Sequence, residues 1–435
     1  VTIADADGAV RMGREPRDAT AGRVVRGPQR EHHDPDWLIM LIVVGLAAVG
    51  ILMVYSSTAV RYALDPDGDL LRALVPELLW AVLGVAAMLL FWRFDYRWLR
   101  LVSVPGYLVA LGLLVIVLSP APLGPIKALE SGGSSRWLAI GGLPQMHPAE
   151  LAKLAMVVYL AHWFARRGHA ASSLTTGTIP FLIVAGLVIG LVALEPDLGT
   201  TGVIALTAVT MFYVAGANLL HLAALAPLGL AGLIGYVITN PYQLSRVTTF
   251  LDPWAQATAD GYHTVQGLLA LGLGGLFGAG LGQSRVPGGL RLPNADNDFV
   301  FAMVGQEFGL VGGAVVIALF LLLAWRGVRV ALAAPDTFGG LLAMGITAML
   351  TFQAFINIGV VVQLLPITGI TLPFVSSGGT SIVVSFAAVG ILLSVSRETL
   401  ARGSMDDADP GRRRRDGRAH PSGAGRPSVT RGAAA

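Results

Sequence analysis

The sequence contains no cysteine. That excludes disulfides, a thiolate nucleophile and any metal centre held by thiolates. Charge is scarce as well. Asp, Glu, Lys and Arg make up 13% of the 435 residues, against 54% hydrophobic residues. Soluble domains carry about 25% charged residues, so a water-soluble fold is excluded. With a mean hydropathy of +0.67, the chain reads as an all-α polytopic membrane protein. The net charge of +3 describes mainly the tails and short loops and points to no nucleic-acid partner. No cleavable signal peptide is evident. The first apolar run starts at Trp37, behind a polar stretch, and is long enough to span.

Apolar runs of spanning length are plentiful. They are Trp37–Tyr55, Val75–Trp92, Val102–Leu118, Pro148–Phe164, Ile179–Leu194, Gly199–Val214, Leu219–Ile238, Phe299–Trp325, Phe338–Leu364 and Leu372–Val395. About ten transmembrane helices are expected, forming one membrane domain over 37–397. Residues 1–36 and 398–435 are polar and rich in Gly, Pro and Arg, and read as disordered tails. Arg93, Arg97 and Arg100, then Arg166 and Arg167, then Arg326 and Arg329, fall on one side of this arrangement together with both tails. By the positive-inside rule that side is cytoplasmic. Gly267–Gly282 is apolar but short, with seven glycines. It reads as re-entrant or interfacial rather than as a span. Residues 240–297 then form one large extracytoplasmic loop between helices 7 and 8, and a loop of that length is usually functional.

The unusual polar residues gather at the outer half. Asp296 and Asp298 stand where the long loop meets the eighth apolar run. Asp298 suits two roles, capping that helix or acting at the mouth of a site. Glu150 and Lys153 are three residues apart on one helix face. They are either an internal ion pair or, with the helix start at Pro148, a phosphate site. Glu195 and Asp197 end the fifth run. Arg136 and Trp137 follow the third, Arg246 lies early in the long loop, and Ser376–Ser381 opens the tenth. Glu307 is half a helical turn out of phase with Asp298 and is expected to bond a neighbouring helix. Gln353 and Asn357, at i and i+4, are expected to be interhelical glue.

Several of these stretches resemble a known family. They are Ser135-Arg-Trp-Leu138, His147-Pro-Ala-Glu-Leu-Ala-Lys153, Glu195-Pro-Asp-Leu-Gly-Thr200, Tyr262-His-Thr-Val-Gln266, Asn297-Asp-Phe-Val-Phe301, Gln306-Glu-Phe-Gly309, Asn357-Ile-Gly, Leu365-Pro-Ile-Thr-Gly, Leu372-Pro-Phe and Gly378-Gly-Thr-Ser381. In this order they are similar to the SEDS family (shape, elongation, division and sporulation), over residues 37 to 397, and look most like its division branch. The resemblance implies a peptidoglycan glycosyltransferase that polymerises lipid II on the outer face of the bacterial cytoplasmic membrane. It implies a class B penicillin-binding transpeptidase as partner. The family's essential aspartate falls on Asp298, and its Glu-x-x-Lys pair on Glu150 and Lys153. Gln306 stands where many members carry an acid, so no acid is required there, and Ser377 replaces a residue often aromatic in relatives.

The expected chemistry needs a base for the acceptor hydroxyl and positive charge for the departing pyrophosphate. Asp298 is assigned the first role. Lys153, Arg136 and Arg246 are assigned lipid-phosphate contacts, with Glu150 and Asp197 beside them. A divalent cation such as magnesium or manganese is a possible further aid, and no ligands are assigned to it. The rival readings are a lipid II flippase, which would place its polar groups near the midplane, an elongation-type polymerase, and a non-catalytic scaffold.

Overall fold

A computed structural model describes residues 30–63, 70–119, 126–131, 134–141, 144–259, 261–283 and 297–400. Most of both expected tails, and Asp296, lie outside the described residues. Among the described residues there are twelve α-helices: α1 Trp37–Ala63, α2 Leu70–Arg93, α3 Leu99–Leu118, α4 Pro148–Arg167, α5 Ile179–Leu194, α6 Leu198–Val214, α7 Leu219–Thr239, α8 Pro241–Leu251, α9 Tyr262–Gly274, α10 Val300–Ala333, α11 Thr337–Val361 and α12 Gly379–Ser396. Among the described residues, eight segments are long and apolar enough to cross a membrane. They contain α1, α2, α3, α5, α7, α10, α11 and α12. The apolar α6 is shorter, with 17 residues. The 20-residue α4 carries Glu150 and Lys153 inside an otherwise apolar sequence. These two match the remaining expected spans.

Helices α11 and α12 form the buried centre, and small residues let the backbones approach. At Gly345 of α11 a Cβ would come within 2.7 Å of both Met211 of α6 and Val157 of α4. Around this centre α2 packs on α12, α3 on α4 and α10 on α11. Large apolar side chains of α1, α2, α3, α5 and α7 face outward, as a hydrocarbon solvent requires.

Three expectations need correction. The tenth helix starts at Gly379, not Leu372. Residues 372–378 are irregular, with Phe374 at φ 66°, and the Leu372 amide donates to the Ser376 hydroxyl (2.7 Å). The loop 240–297 is not merely a loop, because it contains α8 and α9. Its glycine-rich part is built against α10. Helix α9 has 13 residues, about 20 Å at the standard rise, too short for a bilayer core of about 30 Å. After it the chain turns. The amides of Ala279 and Gly280 donate to the carbonyls of Gln306 and Glu307, and those of Leu310 and Val311 to Gly275 and Leu276. This exchange opens α10 at Gly309 (φ 68°, ψ −164°), a conformation that favours glycine. Third, Arg166, Arg167, Arg326 and Arg329 sit within the ends of α4 and α10, not in loops.

The expected grouping of arginines appears at one end of the bundle. Arg97 contacts Asp95, Asp336 and Glu398, and Arg100 pairs with Asp336 (3.0 Å). Arg326 pairs with Asp36 (2.6 Å). The amide of His33 donates to the Arg397 carbonyl (2.8 Å). So residues just before α1 and just after α12 meet at the arginine-rich end.

Candidate active site

The opposite end carries the polar motifs. Residues 126–131 and 134–140 form an antiparallel hairpin, with Leu129 opposite Trp137. It holds Arg136 over the turn between α5 and α6. The Arg136 guanidinium donates from Nε to the Glu195 carbonyl (3.0 Å) and from Nη2 to the Pro196 carbonyl (2.7 Å). Pro196 also accepts from Gln243 Nε2 of α8 (2.8 Å). Two helix turns, a hairpin and α8 are thus tied at one point. Arg246, one turn further along α8, donates to the Ile367 carbonyl (3.1 Å) and lies over the Tyr242 ring.

Asp298 stands just before α10. The first residue flanking that helix is Phe299, and no side chain caps it. The capping role considered for Asp298 is therefore not the one it plays. Its backbone is fixed instead. Asn357 of α11 donates through Nδ2 to the Asp298 carbonyl (2.8 Å) and the Ile370 carbonyl (2.6 Å), and the Ser376 hydroxyl donates to the Asn297 carbonyl (2.6 Å).

The floor of the site is Ile367-Thr-Gly-Ile370, which the sequence marked only as part of a motif. Gly369 adopts φ 71°. A Cβ built there would lie 3.5 Å from Asp298 Oδ2 and 3.9 Å from Arg136 Nη1. The carboxylate and the guanidinium thus both lie beside this residue. With Arg246 bonded at Ile367, two cations and Asp298 surround one short turn. No spacing between residues 136, 246, 298 and 369 announces this. The available signal was glycine in a short polar turn between two apolar runs.

The electrostatics differ from group to group. Burial pulls the Arg246 guanidinium below its usual range. Tyr242, Asp197 and Asp298 oppose that, and Arg136 adds to it. Glu195 is 1% exposed, and neither carboxyl oxygen has a hydrogen-bond partner among the described residues. Burial first, then Asp197, pushes its carboxyl up to about 9 against Arg136, so it is neutral near pH 7. Asp197 is the cap of α6, accepting from the Thr200 amide (3.0 Å), and its Oδ2 is 3.7 Å from His147 Nε2. Burial holds His147 below the ordinary imidazole range, with Asp197 and Glu150 opposing. Trp137 packs edge-on to the His147 ring.

Lys153 and Glu150 lie deeper. Lys153 is 1% exposed, and its Nζ donates to Glu150 Oε1 (2.8 Å) and Gln353 Oε1 (2.7 Å). Gln353 in turn donates to the Thr371 carbonyl (3.1 Å), one residue from the Ile370 carbonyl that Asn357 holds. Gln353 is interhelical glue, bonding Lys153 of α4 and Ser381 of α12, whereas Asn357 holds the carbonyls of Asp298 and Ile370 outside the helices. Together Gln353 and Asn357 connect the Glu150–Lys153 pair to the floor under Asp298. Glu307 also meets a neighbouring helix, accepting from the Ser56 hydroxyl of α1. Among the described residues no three His, Asp or Glu side chains converge to hold a metal ion.

Comparison with known proteins agrees with this architecture. The family model for FtsW, RodA and SpoVE, described as cell cycle protein, matches residues 36–401. Stage V sporulation protein E of Bacillus subtilis is 40% identical over 83% of this chain and 97% of its own length. A probable peptidoglycan glycosyltransferase FtsW of Geobacter metallireducens is 38% identical over 83% of this chain and 94% of its own. Among solved structures, a chain from a peptidoglycan synthase complex that coordinates polymerization and crosslinking superposes with a TM-score of 0.66. It is 29% identical, covering 83% of this chain and 98% of that one. The twelve-helix bundle, the ordered motifs and these matches agree, and the chain belongs to the FtsW/RodA/SpoVE family, the SEDS proteins, as an FtsW-like member.

Proposed function

We propose that the chain is a peptidoglycan glycosyltransferase that polymerises lipid II during cell division, at the outer face of the cytoplasmic membrane. The observation that carries the reading is the meeting of one carboxylate, Asp298, with two guanidinium groups, Arg136 and Arg246, around Gly369 and Ile367. Asp298 takes the proton of the acceptor sugar's 4-hydroxyl as that oxygen attacks the donor's anomeric carbon. The bond from that carbon to the pyrophosphate breaks, and the configuration inverts from α to β. Arg136 and Arg246 receive the charge that develops on the undecaprenyl pyrophosphate. Their hydrogen bonds go to neutral carbonyls, so neither positive charge is cancelled by a bonded carboxylate.

Lys153 and Glu150 act from below, setting the height of the 370–371 backbone through Gln353. Asp197 orients His147 and the start of α6. A divalent cation would sit with the pyrophosphate, because magnesium is held largely by substrate phosphates and water. It would neutralise phosphate charge.

The arginine-rich end faces the cytoplasm, with both termini. Glycan strands need a transpeptidase to crosslink them once they are polymerised. The similar synthase complex, which coordinates polymerization and crosslinking, supports a class B penicillin-binding protein in that place. The test is direct. Purified chain, alone and with such a transpeptidase, is incubated with lipid II and the glycan is resolved by gel. Polymer is expected. Translocation of lipid II across vesicles without polymer in either mixture would replace this reading with the flippase.

A further inference from the structure

The arginine-rich end contains a groove that the reaction does not use. It lies between the start of α1, the end of α2 and Arg397, and its cavity volume is about 810 Å³. Leu89 and Trp37 line its apolar side, and Trp92, Arg93, Arg397 and Asp34 its polar side. Trp37 is 59% exposed at the first residue of a span, where amphipathic aromatic rings sit at headgroup level.

Two groups here are donors in need of an acceptor. The Trp92 indole N–H is buried and has no hydrogen-bond partner. A buried polar group left unpaired costs about 1–3 kcal/mol, and a ligand oxygen would remove that cost. Next in the chain, Arg93 is exposed, and among the described residues no carboxylate pairs with it. Arg397 adds a third donor group, held at this end of α2 by a bond from Nη1 to the Trp92 carbonyl (3.4 Å). The neighbouring Arg97, Arg100 and Arg326 all face carboxylates, and Arg93 does not. Asp34, the acid on the same wall, makes no ion pair among the described residues and offers an acceptor for a hydroxyl.

We propose that this groove binds the headgroup of an anionic phospholipid of the phosphatidylglycerol type in the adjoining leaflet. The phosphodiester oxygens accept from Arg93, Arg397 and the Trp92 indole. The glycerol hydroxyls donate to Asp34, and the acyl chains follow Leu89 down the face of α2. A soluble anion would gain the same donors but nothing from the apolar side or from Trp37. The site pins α1 to α2 from the side of the membrane opposite Asp298.

Native mass spectrometry of the full chain, from nanodiscs of equal phosphatidylcholine and phosphatidylglycerol, tests this. The wild type is expected to retain phosphatidylglycerol selectively. Arg93→Gln should weaken retention about tenfold, the worth of one charge-assisted hydrogen bond. Trp92→Phe keeps the ring, removes the donor and should weaken it about fivefold, as for a neutral hydrogen bond of about 1 kcal/mol. Arg329→Gln removes a charge at the same end but outside this groove and should change nothing. Three results would overturn the proposal. They are equal retention of the two lipids by the wild type, loss in Arg329→Gln as large as in Arg93→Gln, and displacement of the lipid by millimolar inorganic phosphate.

Discussion

The two ends of this bundle handle charge in opposite ways. At the arginine-rich end, Arg97, Arg100 and Arg326 face Asp336, Glu398 and Asp36, and within these pairs the charge is cancelled. Asp336 is held below the ordinary carboxylate range. Burial opposes this, and the Gly339 amide, Tyr96, Arg100 and Arg97 together outweigh it. At the other end, Arg136 and Arg246 are bonded to the carbonyls of Glu195, Pro196 and Ile367. A carbonyl fixes a guanidinium in place without neutralising it. The first arrangement ties helix ends together. The second keeps positive charge ready for a phosphate, which is the preorganisation that catalysis of phosphate departure requires.

The comparison breaks most sharply at Asp298. Asp298→Asn keeps the shape and removes the base, so lipid II polymerisation should fall by at least about 10²-fold, with unchanged expression and melting temperature. Near-normal glycan synthesis would remove Asp298 from the reaction. Arg136→Gln and Arg246→Gln should each cost about 10²-fold in kcat, as for loss of one preorganised donor.

Next in size is Lys153. Lys153→Ala leaves Glu150 charged and buried, and breaking a buried pair costs about 3–5 kcal/mol. Thermal unfolding in detergent should show that loss. The double change Glu150→Gln with Lys153→Met should recover most of the stability and of the polymerisation. Recovery of stability alone, without activity, would move Lys153 into direct contact with the lipid phosphate.

A smaller effect is expected from Glu195. Its folded carboxyl titrates near 9 and an unfolded one near 4.5. Between those values the folded protein binds the extra proton, so stability falls as pH rises. Glu195→Gln, neutral at every pH, should melt higher than the wild type at pH 8, and the gap should close toward pH 5. A gap of constant size across that range would show that Glu195 is not held neutral.

The smallest change should come from Arg97→Gln at the paired end. Exposed and half-exposed ion pairs are worth about 0–1 kcal/mol each. A drop in melting temperature with unaltered polymerisation is expected. A large loss of activity would mean that the two ends are coupled, and the contrast between them would fail.

Much of the molecule was legible in the chain order. Apolar runs longer than a bilayer core must become helices, because hydrocarbon leaves backbone groups no other partner. The runs that begin at Trp37, Pro148, Ile179 and Leu219 start where their helices do. The arginines grouped as the positive-inside pattern implied, and the apolar stretch with seven glycines did not become a full span. Local signals failed where distant segments decide. Residues 372–378 are apolar enough to continue a helix. The Leu372 amide donates instead to the Ser376 hydroxyl, which itself donates to the Asn297 carbonyl, a long-range tie that no local rule anticipates. Lys153 could have faced lipid phosphate by sequence, and its burial depends on Gln353, two hundred residues away.

By itself the sequence determined the solvent of this protein, the approximate place of its long helices, and the motifs of its family. Those follow from composition and period, which are properties of neighbours along the chain. Only the tertiary structure decided that Arg136, Arg246 and Asp298 surround Gly369. A site is made of distances through space, and these three side chains come from a hairpin, a short helix and a helix start. They meet because Asn357 holds the Asp298 and Ile370 carbonyls, Arg246 bonds the floor at Ile367, and Arg136 ties the hairpin to the α5–α6 turn.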